Sequence, residues 1–331
     1  MIKKKIKYVF KNIFDKPKLN KPKLREPDSV LSILADIKKP PWGGANQFFI
    51  ALINQLGKNN IEVKTNYIGN ETSNYLLNSK YFDLTKLKNE KFLGNKKVVL
   101  HRIAGLFTVS RNNPNQKPND DIVFKINNNH ATTTIFQSQW ALDLVKKSEY
   151  KPINPIILTN APDQNIFNKQ NRIEFSSNRK IKLISSSWSS NPQKGGAIYK
   201  WLDENLNWNL FEYTFVGQTN ETFKNINHIP PVDSQKLSVI LKNHDIYITA
   251  SRNDAASNAL LEGLACGLPA LYLNSGGNPE LVKTAGIAFD NQEEIKEKLE
   301  MLINDYQQFQ NNIDIPKIEN VALKWIALLD S

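Results

Sequence analysis

Two acidic residues eight positions apart, Asp254 and Glu262, are the side chains with the clearest potential for chemistry. The pattern predicts that Asp254 lies in the loop after a buried strand and that Glu262 lies inside the following helix. Both carboxylates could then face a ligand at the N-terminus of that helix. Because a carboxylate within the apolar segment LLEGLACG is costly to bury without a hydrogen-bonding partner, Glu262 is a candidate ligand contact. Asp254 has a second interpretation, as a cap of the helix.

Other loops expected at the same edge of the sheet contribute Lys194, the turn Gly276-Gly277 and Glu280 after it. A lysine and the free amides of a helix N-terminus together favour a phosphate group, and carboxylates accept hydrogen bonds from the vicinal hydroxyls of a ribose or a hexose. This combination describes a nucleotide sugar. Lys194 as a solvated surface lysine, and Glu280 as a cap or a charge that complements the helix dipole, are the alternatives.

The sequence contains no clustered His, Cys and Asp residues and no Asp-x-Asp motif. This composition argues against a site that holds a diphosphate through a metal ion. We therefore expect metal-independent chemistry without a cofactor, in which the nucleotide sugar is a substrate.

The composition indicates a globular protein of two domains. The chain has 331 residues, of which 40% are hydrophobic, and it contains one cysteine, which excludes an intramolecular disulfide framework. No apolar run approaches the roughly 18 residues of a membrane-spanning helix, and the N-terminus lacks the apolar core of a signal peptide. These features predict a cytoplasmic protein.

The net charge of +11 is concentrated in residues 1–29, which carry +7. This extension begins with apolar residues at helical spacing opposite lysines and continues into a Pro- and Lys-rich linker. Such a basic amphipathic segment can lie on an anionic membrane surface, here the inner face of the plasma membrane; a solvated tail or a helix packed on the body is the alternative. Nucleic-acid binding is disfavoured because the rest of the chain lacks a basic patch interleaved with aromatic residues.

Strands alternate with helices from residue 30 to the C-terminus. This rhythm predicts an α/β fold of two Rossmann-like domains that face a cleft, each with a parallel sheet whose ligand loops lie at the C-terminal edge of the strands. We expect a first domain at residues 30–162 and a second at residues 163–331. The final segment NVALKWIALL predicts an amphipathic helix, which either closes the second domain or packs back on the first.

Two residue pairs in the first half are candidates for the opposite wall of the cleft. Gly43 and Gly44 follow the first strand and let the backbone approach a ligand closely, although a simple tight turn has the same pattern. His101 and Arg102 end a short buried strand, which is where open α/β sheets place ligands. A structural histidine is the alternative for His101.

The segment that contains Asp254 and Glu262 resembles the signature of a known family. The segment SRNDAASNALLEGLACGLPALYLNSGGNPELV is similar to the donor-site signature of retaining glycosyltransferases of the GT-B type, in the large family-four group (glycosyl transferases group 1). The shared pattern is two acids eight apart, then Ala-Cys-Gly-x-Pro and Gly-Gly-x-x-Glu. The resemblance covers most of residues 30–331, including the Gly-Gly loop and the segments HRIAG, NAPDQNIF and SSSWSSNPQKGG.

The resemblance implies roles for the candidates in the second domain. Glu262 would hold the ribose and Asp254 the transferred sugar. Lys194 and the backbone amides beside Asn258 would bind the diphosphate, and Glu280 belongs to the same donor-binding motif.

In the first domain, Gly43 and Gly44 would approach the same phosphates, as the resemblance implies. His101, or Arg102 beside it, would take the acceptor-side position in the cleft, where the family often keeps a histidine. In such enzymes the acceptor binds the first domain and the leaving phosphate assists its deprotonation, so that no dedicated protein base is required.

Three positions depart from the family pattern. Asp254 stands where the family usually has Glu, which shortens the reach of the carboxylate by one methylene. Ala255 occupies a position often held by Gly or Pro. Ser187 and Trp188 stand roughly where a basic residue usually precedes the loop lysine, which weakens the phosphate assignment.

The resemblance thus implies a hexosyltransferase that moves a sugar from a nucleotide-sugar donor to a glycan or lipid-linked acceptor with retention, of the type that builds bacterial surface polysaccharides. The alternative is a non-catalytic protein that binds a sugar nucleotide or a glycan on the same scaffold. The departures at Asp254 and Ala255 keep this alternative open.

Overall fold

The computed structural model describes residues 30–38, 43–69, 71–87 and 98–330. The predicted basic extension, residues 1–29, lies outside these residues. The described residues form two six-stranded sheets, each with all of its strands parallel. The predicted fold class, α/β with two Rossmann-like domains, is confirmed.

The first sheet is built from β1 (Val30–Leu34), β2 (Glu62–Thr65), β3 (Asn74–Asn78), β4 (Val98–Arg102), β5 (Thr133–Phe136) and β6 (Pro155–Ile157). The spatial order is β2-β1-β3-β4-β5-β6. The α-helices of this part are α1 (Gly44–Lys58), α2 (Phe107–Ser110), α3 (Lys117–His130) and α4 (Gln139–Lys146), with 3-10 turns at Leu84–Leu87 and Pro114–Gln116. All residues of β1, β3 and β4 are buried, as expected for parallel strands covered on both faces.

The second sheet is built from β7 (Ile181–Ser187), β8 (Phe211–Gly217), β9 (Asn227–Ile229), β10 (Ile246–Thr249), β11 (Ala270–Leu273) and β12 (Gly286–Phe289), in the spatial order β12-β11-β10-β7-β8-β9. Its helices are α5 (Gly196–Asn205), α6 (Ser234–Lys242), α7 (Asn258–Ala265), α8 (Asn278–Val282), α9 (Ile295–Asn304) and α10 (Tyr306–Asn311), with 3-10 turns at Pro192–Lys194 and Gln292–Glu294. Because β7 and β10 are central neighbours, the loops after them meet at one edge.

Strand β3 could not be predicted from the sequence pattern. Its apolar core is only three residues long, too short for periodicity to distinguish a strand from other structure. The pairing of Leu31 with Asn74 on one side, and of Asn74 with Val98 on the other, makes β3 a central strand.

The last helix, α11 (Ile318–Leu329), packs on α1 of the first domain although it follows the second domain in sequence. Ile318, Ala322 and Trp325 are buried in one cluster with Phe49 and Leu52. The chain therefore crosses between the domains twice. No helix in the described ranges is long and apolar enough to cross a membrane.

Candidate functional site

Lys194 and Asp254 form an ion pair where β7 and β10 end. The Nζ atom of Lys194 lies 2.6 Å from Oδ2 of Asp254, and the side chains are 34% and 19% exposed. The two loops are tied together by the backbone N–H of Arg252, which donates to the carbonyl oxygen of Gln193 at 2.7 Å. The tertiary structure thus brings a cation and an anion from two distant loops to one accessible point.

The Asp254 carboxyl is stabilised in its ionised form. Burial by itself would raise its pKa, but the charge and hydrogen bond of Lys194 lower the pKa below its ordinary value. The backbone N–H of Ala256 and the hydroxyl of Ser251 act in the same direction. Asp254 therefore carries a negative charge at neutral pH.

The Gly276-Gly277 turn packs against the backbone of the Asp254 loop. The N–H of Gly277 donates to the carbonyl oxygen of Asp254 at 2.8 Å. A Cβ atom on Gly276 would lie 2.3 Å from the same carbonyl oxygen, and one on Gly277 would lie 2.1 Å from the carbonyl oxygen of Ala255. The turn requires two glycines because the backbone of the Asp254 loop occupies the space of both side chains.

Glu262 lies on α7 and is 3% exposed. Its Oε2 atom is buried without a hydrogen-bond partner among the described residues, and burial raises the pKa of the carboxyl to about 8. Glu262 lines a cavity of about 110 Å³ between the domains, together with Gly44, Phe48 and Asn258. A buried oxygen with unused hydrogen-bonding capacity beside a cavity is suited to accept a hydrogen bond from a ligand.

The Gly43-Gly44 pair forms a direct contact between the two domains. A Cβ atom on Gly43 would lie 2.5 Å from Cβ of Trp188, and one on Gly44 would lie 2.3 Å from Cβ of Asn258. Gly44 begins α1 and Asn258 begins α7, so the N-termini of these helices meet across the cleft. The glycines allow close approach, as expected, but the approach is to Trp188 and Asn258 of the second domain.

Glu280 caps a helix of the opposite domain. Its Oε2 and Oε1 atoms each accept a hydrogen bond of 2.7 Å, from the backbone N–H groups of Gln139 and Trp140 at the start of α4. A carboxylate at a helix N-terminus is stabilised by the unpaired amides and the helix dipole. This differs from the expected donor contact, because both oxygens already serve the contact between domains.

His101 does not face the cleft, in contrast to the expected acceptor-side position. Its side chain is 0% exposed; Nε2 lies 2.9 Å from the carbonyl oxygen of Ser79 and Nδ1 lies 3.2 Å from Nδ2 of Asn127. Burial lowers the pKa of His101 to about 4, so the ring is neutral. The Nε2–H group donates to Ser79, Nδ1 accepts from Asn127, and the histidine is structural.

Arg102 is also buried, and it acts on the site only through neighbours. Its guanidinium donates to Oδ1 of Asn78 at 3.0 Å and to Oδ1 of Asn160 at 3.2 Å, and Nδ2 of Asn160 in turn donates to Oδ1 of Asn258 at 2.9 Å. Burial lowers the pKa of Arg102 to about 10, so it stays protonated at neutral pH. Arg102 therefore links the first domain to the start of α7 rather than facing a ligand as expected.

A second cavity, of about 180 Å³, lies between the domains at Asp254. Lys194 and Asp254 line it from the second domain, and Tyr81, Phe107 and Arg111 line it from the first. The sequence prediction missed these three residues. Tyr81 follows β3, which was not predicted from the sequence. Phe107 and Arg111 belong to the segment GLFTVSR, and the only sequence signal for this segment was that it follows the end of strand β4.

Within the described ranges, no group of three or more His, Cys, Asp or Glu side chains is arranged to hold a metal ion. Two further charged residues, Asp163 and Arg252, line the first and the second cavity respectively. The arrangement can pair with an anion through Lys194 and accept hydrogen bonds through the carboxyl groups of Asp254 and Glu262.

Residues 218–315 match the sequence model of a protein family described as glycosyl transferases group 1. This range contains Asp254, Asn258, Glu262 and Glu280. No curated protein has a sequence significantly similar to this chain.

Three solved structures share the fold over nearly the whole chain. A sucrose-phosphate synthase from Thermosynechococcus elongatus is 10% identical with a TM-score of 0.70, and the match covers 91% of this chain and 98% of that one. Anabaena HepE, in complex with UDP and glucose, is 14% identical with a TM-score of 0.65, over 92% and 99%. A glycosyltransferase from Rickettsia africae is 13% identical with a TM-score of 0.61, over 91% and 97%. The chain therefore has the GT-B fold of glycosyltransferases, and its second domain contains a segment that matches the glycosyl transferases group 1 family.

Proposed function

We propose that this chain transfers a hexose from a nucleotide sugar to a glycan or lipid-linked acceptor with retention of configuration. The observation that carries the proposal is the Glu262 carboxyl group, which is buried between the domains, faces a cavity and has one oxygen without a partner among the described residues. Such a group needs a hydrogen-bond donor, and the ribose hydroxyls of a nucleotide supply one. The match of residues 218–315 to glycosyl transferases supports the same function.

The donor diphosphate is proposed to bind Lys194 and the first amides of α7 beside Asn258. A lysine and a helix N-terminus both favour phosphate oxygens. In the free protein, the ammonium group of Lys194 is paired with Asp254 at 2.6 Å. A diphosphate that competes for this ammonium group releases the Asp254 carboxylate to accept hydrogen bonds from the hexose hydroxyls.

In the proposed reaction, the bond between the anomeric carbon and the diphosphate oxygen breaks while the acceptor oxygen bonds to the anomeric carbon on the same face. The acceptor proton passes to the departing phosphate oxygen. Lys194 and the helix amides stabilise the charge that develops on the diphosphate, so we propose that no metal ion is needed. Transfer is therefore expected to persist after treatment with EDTA.

The acceptor is proposed to bind the first domain, on the cytoplasmic face of the membrane if it is lipid-linked. Residues 1–29 carry +7 and would attract an anionic surface. Deletion of these residues should release the protein from vesicles of anionic lipid at moderate salt. Equal binding of the truncated and full-length proteins would contradict this role.

The test of the proposed function is a screen of nucleotide hexoses for hydrolysis and transfer, beginning with UDP-glucose because the HepE structure contains UDP and glucose. We expect wild-type turnover, and a loss of about 100-fold or more in Asp254→Asn and Glu262→Gln. Glu297→Gln, on the exposed surface of α9, is the matched control. Donor binding without turnover in any reaction would instead favour a binding protein, and full activity of Glu262→Gln would refute the site.

A further inference from the structure

The first-domain wall of the cavity at Asp254 is formed by Tyr81, Phe107 and Arg111, which we call the acceptor-side wall. Phe107 begins α2, and its N–H donates to Oδ1 of the buried Asp120 carboxylate at 2.5 Å. The N–H of Thr108 donates to Oδ2 at 3.1 Å. These charge-assisted hydrogen bonds fix the start of α2 on the first domain.

The other end of α2 is fixed by the second domain. The side-chain amide of Asn191 donates to the carbonyl oxygen of Ser110 at 3.3 Å, and that of Asn253 donates to the carbonyl oxygen of Val109 at 3.4 Å. Arg111 follows these carbonyls directly. The fold therefore delivers Arg111 to the same cavity as the Asp254 loop.

The charge in this cavity is not balanced. Lys194 is neutralised by Asp254, but Arg111 and Arg252 also line the cavity, from opposite domains. Neither guanidinium makes a hydrogen bond or an ion pair with any residue that the structure describes. Both arginines are exposed. Two like charges that line one cavity repel each other, and an anion between the domains would offset the repulsion.

An aromatic pair lies beside Arg111. The ring centroids of Tyr81 and Phe107 are 5.8 Å apart at an angle of 49°, and Tyr81 is 45% exposed. The Nζ atom of Lys80 lies 5.7 Å from the centroid of the Phe107 ring, and this cation–π contact helps to position the ring. A rigid aromatic surface with an attached hydroxyl suits a ligand that has apolar and polar faces, such as a sugar ring.

We infer that the acceptor is an acidic sugar, with a carboxylate or phosphate group that binds Arg111 while its ring packs on Tyr81 and Phe107. This inference rests on the proposed glycosyl transfer and specifies its acceptor. Arginine suits either anion because its planar guanidinium donates two parallel hydrogen bonds to carboxylate or phosphate oxygens. Arg252, two residues before Asp254, lies on the donor side of the same cavity and strengthens the positive field.

The test compares glucuronate, glucose 6-phosphate and glucose as ligands of the UDP-saturated full-length protein by isothermal titration. We expect both anionic sugars to bind about 10- to 100-fold more tightly than glucose, and Arg111→Ala to abolish this difference. Arg111→Lys should retain part of it. Lys147→Ala, which removes an exposed charge of the first domain at the end of α4, should retain all of it.

Three results would overturn the inference. The wild-type protein could bind the three sugars equally or bind none of them. Arg111→Ala could weaken glucose as much as the anionic sugars. It could also chiefly weaken UDP itself, which would assign Arg111 to the donor diphosphate. Hydrolysis of the nucleotide sugar, measured in parallel, tests the proposed function separately because it requires no acceptor sugar.

Discussion

Replacement of Glu262 by Gln is expected to stabilise the free protein and to abolish binding of the donor. Glutamine has nearly the same shape but cannot ionise. The pKa of Glu262 is raised by burial from 4.5 to about 8. At about 1.4 kcal/mol for each pH unit between these values, ionisation in the folded state opposes folding by up to about 5 kcal/mol above pH 8. Relaxation of the site lowers this figure, and we expect a gain of about 2–5 kcal/mol at pH 8.

The direction of the pH dependence follows from the raised pKa. Between pH 4.5 and about 8 the unfolded chain loses the Glu262 proton while the folded protein keeps it. The free energy of unfolding of the wild type therefore falls as pH rises through this window. Glu262→Gln lacks this contribution, so the difference in stability between the variant and the wild type should grow from pH 5 to pH 8.

Donor binding should show the opposite coupling, because ribose hydroxyls that donate to Glu262 favour its ionised form. Binding of a nucleotide sugar to the wild type at pH 7 should release a proton, and affinity should rise towards pH 8. Urea unfolding at several pH values measures the first effect. Titration calorimetry in buffers of different ionisation enthalpy measures the second.

Glu297→Gln, an exposed substitution on α9, should show neither effect. A Glu262→Gln variant that is less stable than the wild type at pH 8 but still binds the donor would contradict this role of Glu262. That result would mean that the carboxylate is satisfied within the protein and serves folding alone.

Three further substitutions test whether a residue maintains a contact between the domains, supports the fold or takes part in donor binding and transfer. Gly44→Ala places a Cβ atom 2.3 Å from Cβ of Asn258 and should weaken donor binding at least tenfold by calorimetry, whereas Gly57→Ala in the same helix meets no atom within 4 Å and should be tolerated. Glu280→Gln should lower the free energy of unfolding by about 1–2 kcal/mol in urea titrations, because the N-terminus of α4 loses a charged cap. His101→Gln should leave the pH profile of transfer between pH 6 and 8 unchanged, because the ring with a pKa of about 4 is neutral there. The wild type should lose stability as the pH falls from 6.5 to 4, and this loss should be smaller in His101→Gln.

The position of Asp254, Glu262 and the Gly276-Gly277 turn could be predicted from the sequence because their pattern is local. Asp254, Glu262 and the Gly276-Gly277 turn belong to one segment of alternating strand, loop and helix, and its periodicity places Asp254 in the loop before α7 and Glu262 within α7. The isolation of Glu262 among apolar residues indicated a buried carboxylate, and the structure confirms its burial. Lys194 is distant in sequence, but it follows a neighbouring strand of the same sheet.

The first-domain residues that face the cavities could not be predicted in the same way. His101 and Arg102 end a strand at the correct edge, yet both turn into the interior. Ser79 and Asn127 pair with the two ring nitrogens of His101, and Asn160 accepts a hydrogen bond from the guanidinium of Arg102. A linear pattern gives the end of a strand but not the partners that approach it from other elements.

The sequence by itself determined the α/β architecture, the existence of two domains and the group of acids around α7, since these depend on hydrophobic periodicity and local turns. Tertiary structure decided which groups are left for a ligand. It paired Lys194 with Asp254, committed Glu280 to the start of α4, and left Glu262 and Arg111 facing cavities. The physical reason is that hydrogen bonding and charge pairing are settled between residues far apart in sequence, so that the capacity left for a ligand appears only after the chain has folded.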